Sequence, residues 1–174
     1  MDKKSYFKFL IWTFYVVEIL FAFMYDRTAF FVAEIFGGRP VFLISVFIVI
    51  MLLEKKNTAL VFAAIIGVFS DVQIGDLIGL QVILFMTLAV ILNSLANKFK
   101  KSEKLLIFLA EVLIVPVVIL FRFLSFFVLN NYHENFYAFW KYLLLNVIYT
   151  MLVTPIVYLI SNKTTLLLKK GEYD

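Results

Sequence analysis

The sequence predicts an all-α integral membrane protein, a bundle of six transmembrane helices with both termini in the cytoplasm. Composition, six apolar segments and the distribution of basic residues predict this fold. Of the 174 residues, 64% are hydrophobic and 16% are charged, and the mean hydropathy is +1.00. Soluble domains are about 45–50% apolar. A soluble fold of this size could not bury so much apolar surface, whereas a lipid bilayer can surround it.

The six apolar segments follow one another with short links between them. A transmembrane helix needs about 20 apolar residues, and the second and third segments are shorter than that. They are interpreted as short helices packed inside a bundle or as a tight helical hairpin. No segment alternates as a barrel strand does, so all are predicted to be helical. The whole chain, residues 1–174, is expected to form one membrane domain with these spans: 7–25, 40–53, 58–71, 77–97, 105–129 and 139–160.

Basic residues are concentrated on one side of the predicted membrane. The N-terminus, the links after the second and fourth segments and the C-terminal tail carry 12 of the 16 basic residues. Positively charged loops stay in the cytoplasm, so both termini are predicted to be cytoplasmic and the number of spans is predicted to be even. This topology accounts for the net charge of +4. Nucleic-acid binding is therefore not predicted.

Small residues recur at four-residue steps along the third segment. This spacing keeps side chains near one helix face. Small side chains let two helix backbones approach closely, which favours helix association in lipid. The face is interpreted either as packing within the bundle or as part of a functional site that ends at an aspartate. Its members are Ala59, Ala63, Gly67 and Asp71.

The same spacing continues beyond the third segment. Gly75 and Gly79 lie four and eight residues after Asp71, and Arg39 and Pro40 open the second segment, where proline suits the first turn of a helix. Here the chain resembles the MreD family of bacterial rod-shape-determining membrane proteins. That family shows an Arg-Pro entry to a short second span and glycines at four-residue steps around an aspartate. The resemblance covers about residues 38–95, and its matching positions are Arg39, Pro40, Gly67, Asp71, Gly75, Gly79 and Leu80.

The resemblance implies a non-enzymatic scaffold in the bacterial cytoplasmic membrane. Such a protein is expected to belong to the cell-wall elongation complex, also called the rod complex. Its expected partners are MreC, a membrane protein with a single span, and, in the wider complex, cytoskeletal MreB and peptidoglycan synthases. The resemblance implies no cofactor. Composition and spacing by themselves indicate none of these partners.

Three charged residues, Glu18, Glu111 and Arg122, lie well inside predicted spans, away from their ends. A charge at the bilayer centre costs about 2.5–3.5 kcal/mol on insertion scales and usually marks a paired or functional group. Glu111 and Arg122 share a helix side but lie about 16 Å apart along it, too far to pair. Each is expected to bond within the bundle or to contact a partner helix or ligand. The sixth segment offers candidate partners in a polar stripe, Asn146, Thr150 and Thr154.

The main alternative function is the substrate-binding S-component of an energy-coupling-factor vitamin transporter, which also has six spans. Its first span often carries small residues at four-residue spacing, whereas Ala22 is the only small residue between Phe14 and Phe23 here. Enzyme chemistry is not predicted. The chain has no cysteine, and its one histidine, His133, lies in a polar link. Neither a zinc site nor a catalytic triad within the membrane is therefore expected.

Overall fold

The computed structural model describes residues 3–28, 38–74, 79–98, 103–130 and 136–170. In these ranges the chain forms six α-helices and no β-strand, so the predicted all-α fold is confirmed for the described residues. The helices are α1 (Lys3–Arg27), α2 (Phe42–Leu53), α3 (Lys56–Ile74), α4 (Leu80–Lys98), α5 (Glu103–Asn130) and α6 (Phe136–Lys170).

The last helix extends well beyond the apolar segment that predicted it. The apolar run ends at residue 160, where polar residues begin, yet α6 continues to Lys170. Hydropathy marks the part of a helix that lipid can cover, while the backbone hydrogen bonds continue as long as the residues tolerate helical geometry. In this polar part of α6, the side chains of Ser161 and Thr165 are buried.

Successive helices run in opposite directions. Asp26, near the end of α1, binds the start of α2, and Asp71, near the end of α3, binds the start of α4. Glu18 of α1 contacts Ser161 near the end of α6. We call the end of the bundle where α1 begins and α6 ends the proximal end, and the opposite end the distal end.

Helix α2 is the centre of the bundle. All nine residues from Leu43 to Met51 are buried, and α2 packs against each of the other five helices. A helix that is apolar on every side belongs in an interior. Its 12 residues extend about 18 Å, less than the roughly 30 Å of a hydrocarbon core. The short second segment is therefore a helix packed inside the bundle. Residues 54–55 alone join it to α3, on which it packs, so the two helices also form a tight hairpin, as in the second interpretation.

The outer faces of the bundle are apolar. Side chains such as Phe21, Ile83 and Leu159 are about two-thirds exposed at 65%, 68% and 67%. Among the described residues, three helical stretches are long and apolar enough to cross a membrane. They are Ser5–Arg27, Leu105–Ser125 and Leu143–Lys170, and Phe42–Leu53 and Leu80–Ala96 are apolar but shorter. These helices indicate a membrane protein; the number of spans and the side of the termini stay predictions.

Candidate functional site

Asp71 caps the N-terminus of α4. Its Oδ2 accepts a hydrogen bond from the backbone N–H of Gly79 at 2.7 Å, and its Oδ1 accepts one from Gln81 at 2.9 Å. The first N–H groups of a helix have no partner within the helix, so a carboxylate satisfies them and interacts favourably with the helix dipole. Because both oxygens are engaged and the side chain is only 3% exposed, Asp71 serves to join α3 to α4.

Gly79 has the backbone geometry that this turn requires. Its φ angle is +112°, a region that residues with a Cβ atom rarely adopt, although a Cβ atom would meet no neighbour within 4 Å. Glycine adopts such angles without steric cost. Position 79 therefore requires glycine for its backbone conformation and not for lack of space. In this conformation the N–H of Gly79 points at Asp71. Gly75, another member of the predicted motif, lies outside the described residues.

Gly67 marks the closest approach of α3 and α4. A Cβ atom at this position would lie 2.5 Å from Cα and 2.9 Å from the backbone nitrogen of Val82. Ala59 and Ala63 on the same face are fully buried. The stripe of small residues is thus turned into the bundle, with backbone packed directly on backbone.

A second aspartate caps the central helix. Oδ1 of Asp26 accepts a hydrogen bond from the N–H of Phe42 at 2.8 Å, and Oδ2 accepts one from Leu43 at 3.0 Å. Sequence reasoning assigned Asp26 no such role, because the capped residues lie 16 positions further along the chain. The only sequence signal is an acidic residue at the end of one helix, before a helix start that lacks a polar cap of its own.

The polar stripe of α6 holds the chain that leads into α2. The N–H of Arg39 donates to Oδ1 of Asn146 at 2.8 Å, and the N–H of Val41 donates to Oγ1 of Thr150 at 3.0 Å. One turn further, Thr154 shares a 2.9 Å hydrogen bond with Ser45 of α2. The stripe was expected to offer partners to the intramembrane charges, but these contacts show that it serves the entry to α2.

Above the N-terminus of α2 lies a cavity of about 340 Å³, which we call the distal cavity. It lies at the distal end of the bundle, where α2 begins. Two residues of the predicted motif, Arg39 and Pro40, line it. Among the described residues, its other polar lining residues are Asp26, Gln73, Arg122 and Asn146, and its apolar ones include Ile119 and Leu143.

Arg122 is joined to α3 inside this cavity. Its Nη2 donates to Oε1 of Gln73 at 2.8 Å, and its charge attracts that of Asp26. Nε2 of Gln73 is buried and has no hydrogen-bond partner among the described residues. A buried donor without a partner costs about 1–3 kcal/mol, so the side of Gln73 opposite Arg122 is a place where water or a ligand would be stabilised.

Glu18 belongs to a separate polar group nearer the proximal end. Its Oε1 accepts a hydrogen bond from Ser161 at 2.5 Å, while Oε2 is buried without a partner in the described part of the chain. Close by, the hydroxyl of Tyr15 donates to Glu54 at 3.2 Å and lies 3.4 Å from that of Thr165. These contacts connect α1 to the C-terminal part of α6 and to the end of α2.

Glu111 remains apart from both polar groups. It is 6% exposed in the first third of α5, and its Oε1 has no hydrogen-bond partner among the residues that the structure describes. The structure therefore brings Arg39, Arg122 and Asn146 together at the distal cavity and places Glu18 and Glu111 elsewhere. No group of three or more potential metal ligands occurs within the described ranges.

Comparison with known proteins decides the family. A family model described as rod shape-determining protein MreD matches residues 3–164, nearly the whole chain. The chain belongs to the MreD family. No curated protein and no solved structure matches it.

Membership in the MreD family supports a role in determining rod shape. The MreD match reaches from the start of α1 into the C-terminal part of α6, so it covers the distal cavity as well as the α3–α4 turn. Residues of the MreD-like motif accordingly fall into two places. Gly67 lies where α3 packs on α4, and Asp71 and Gly79 bond at the connection between them, whereas Arg39 and Pro40 line the cavity.

Proposed function

We propose that this protein is a non-catalytic scaffold of the rod complex in the bacterial cytoplasmic membrane. It would cross the membrane six times, bind an MreC-like protein with a single span, and link MreB with peptidoglycan synthases. The observation that carries the proposal is the match of residues 3–164 to the MreD family.

The use of polar groups in the bundle supports a scaffold. Both oxygens of Asp71 and both oxygens of Asp26 accept backbone hydrogen bonds that fix helix ends. An acid or base in catalysis must reach a proton of the substrate. These carboxylates instead join one helix to the next, which supports a structural role for the bundle.

The packing limits where a partner span can bind. Helix α2 is buried from Leu43 to Met51, and the small-residue stripe at Gly67 packs on Val82 of α4. A partner helix would therefore use the outer faces of the other helices. On those faces, association of the partner helix with the bundle would be stabilised by close packing and by hydrogen bonds worth about 0.6–2 kcal/mol each.

One observation favours the alternative of a vitamin-binding S-component. The distal cavity, at about 340 Å³, has room for a small molecule and opens beside the exposed Arg39. Ligand pockets usually measure about 300–1,000 Å³. Against this alternative, the buried side chains along α1 are large apart from Ala22, and include Ile11, Tyr15 and Ile19.

Depletion in a rod-shaped host separates the two functions. Loss of a scaffold should give round cells, and the MreC-like protein should no longer be recovered with the remaining complex. Re-expression of the wild-type chain should restore rods and co-purify that partner. If depleted cells keep their rod shape but fail to take up a vitamin, the transporter function replaces the scaffold.

A further inference from the structure

We propose that the carboxyl group of Glu111 is a proton-binding site inside the bundle, and that release of its proton weakens the packing of α5. Glu111 belongs to α5, and its side chain is 6% exposed. Its Oε1 is buried and has no hydrogen-bond partner among the described residues. Glu111 differs in this from Asp26 and Asp71, whose two oxygens each accept a backbone N–H group.

Glu111 lies on the face of α5 that is turned into the bundle. Val115 and Val118, four and seven residues later, share this face and are fully buried. Val112 and Leu113, on other faces of the helix, are 44% and 49% exposed. Glu111 also lies eight residues, or about 12 Å, from the start of α5. A glutamate side chain is too short to reach the proximal end of the bundle from there.

Two of the helices that pack on α5, α2 and α4, carry no charge at the level of Glu111. The residues of α2 include no ionisable side chain, and the only ionisable residue of α4 is Lys98, its last. The helices α4 and α5 are antiparallel, and only residues 99–102 join them. Lys98 therefore lies near the start of α5, about 12 Å from Glu111 along the axis.

The third helix that packs on α5, α6, also places its cations elsewhere. Residues 119–123 of α5 and 143–146 of α6 line the same cavity, and the two helices are antiparallel, so Glu111 lies level with about residue 155. The nearest lysine of α6, Lys163, is about 12 Å further along the axis, and its side chain is exposed. The ionisable residues of α6 closer to this level are two tyrosines, which are uncharged at neutral pH, Tyr149 and Tyr158.

Within α5 itself, the nearest cations are Lys104 and Arg122. They lie seven residues before Glu111 and eleven residues after it, about 10 Å and 16 Å along the axis. Arg122 is bonded to Gln73 at the distal cavity. An ion pair with Lys104 is therefore the alternative that an experiment must exclude, since such a pair would keep Glu111 ionised.

Ionisation of Glu111 is unfavourable in these surroundings. A charge without a partner in an apolar interior costs so much that the group stays neutral instead. With its proton bound, Glu111 can remain packed on the same face as Val115 and Val118. After loss of the proton, α5 would have to move away from its neighbours before water could reach the carboxylate. In the unfolded protein the same carboxyl is exposed and ionised at neutral pH, so the free energy of unfolding should decrease as the pH rises.

The test compares the full-length wild type with Glu111→Gln and Glu111→Met in a neutral detergent. Both replacements are uncharged at every pH. Glu103→Gln is the matched control, because Glu103 begins the same helix, where the helix dipole favours an ionised carboxylate. Infrared difference spectra between each variant and the wild type show whether the replaced group is a protonated acid or a carboxylate. Thermal unfolding is followed between about pH 5 and pH 9, a range in which an exposed glutamate remains ionised.

At neutral pH, Glu111→Gln and Glu111→Met should lack a carboxylic acid band that the wild type and Glu103→Gln contain. Across this pH range, the unfolding temperature of the wild type should fall by about 3 °C or more relative to that of Glu111→Gln. The control Glu103→Gln should follow the wild type. If Glu111→Gln does not fold, Glu111→Met decides, since an apolar side chain of similar size can replace a neutral buried group.

Either of two results overturns the proposal. The first is that the difference spectra of the Glu111 variants show loss of a carboxylate band at neutral pH, as an ion pair with Lys104 would produce. The second is that the unfolding temperatures of the wild type and of the Glu111 variants change equally with pH. That result would show that the packing of α5 does not depend on this proton.

Discussion

Asp26 and Asp71 hold equivalent places in two successive helix pairs. Each lies near the distal end of one helix and accepts two backbone N–H groups from the start of the next, with distances between 2.7 and 3.0 Å. Asp26 precedes Phe42 by 16 residues, and Asp71 precedes Gly79 by 8 residues. The same arrangement thus closes a long connection and a short turn, and it fixes the starts of α2 and α4 at the distal end.

Replacement of Asp71 should destabilise the α3–α4 pair. Asp71→Ala removes both acceptors of the cap and should lower the free energy of unfolding by about 1–2 kcal/mol. Asp71→Asn keeps one acceptor and should have a smaller effect. Thermal unfolding in detergent measures both. Ser94→Ala is the control, because Ser94 is exposed on α4 and bonds only to its own helix; an Asp71→Ala protein as stable as this control would contradict the capping role.

A side chain at position 67 should prevent α3 and α4 from packing. In Gly67→Leu the Cβ atom alone would meet the backbone of Val82 at 2.5 Å, and backbone cannot yield as a side chain can. The yield of monodisperse protein after detergent extraction should fall sharply. Val68→Leu, at the adjacent exposed position, should leave the yield unchanged. Equal yields from the two variants would show that the stripe is not a helix interface.

Removal of the amide at position 81 should stabilise the protein. Gln81 is 1% exposed, and both its side-chain amide atoms lack partners among the described residues. Gln81→Met retains the size and the backbone bond to Asp71 and relieves a cost of about 1–3 kcal/mol, so the unfolding temperature should rise. Gln73→Met is the contrast and should lower it, because Gln73 accepts from Arg122. A similar fall in both would mean that water satisfies Gln81.

The predicted topology is open to a direct test. A reporter enzyme that is active only outside the cytoplasm, fused after Asp174, should give no activity, because 12 of the 16 basic residues lie in segments predicted to share the side of the termini. The same reporter inserted in the link 131–135 should be active. Activity from the fusion at Asp174 would reverse the orientation or require an odd number of spans.

Periodicity within one helix was enough to predict part of the site. Gly67 and Asp71 lie on one face because they are four residues apart, and the structure buries that face against α4. This works because the requirement for small residues is local: two backbones that touch leave no room for larger side chains. The short length of the second segment left two interpretations open, a helix packed inside the bundle or a tight helical hairpin, and α2 fits both.

Contacts between distant helices could not be predicted in this way. Arg122 and its partner Gln73 are 49 residues apart, and Arg39 and Asn146 are 107 apart. Hydropathy gives each helix and its apolar length, but all six segments are apolar, so it does not tell which of them are neighbours. The distal cavity depends on these neighbours, and its lining residues come from four different helices and the entry to α2.

The contacts at the entry to α2 imply an order of events during synthesis. The N–H groups of Arg39 and Val41 bond to side chains 107 and 109 residues later in the chain. At about 5–20 residues per second, the ribosome needs roughly 5–20 s to make that stretch. Until α6 emerges, those groups must rely on water or lipid headgroups. The bundle can therefore close only when its last helix arrives, and a chain truncated before Asn146 should be left to the quality-control proteases of the cell.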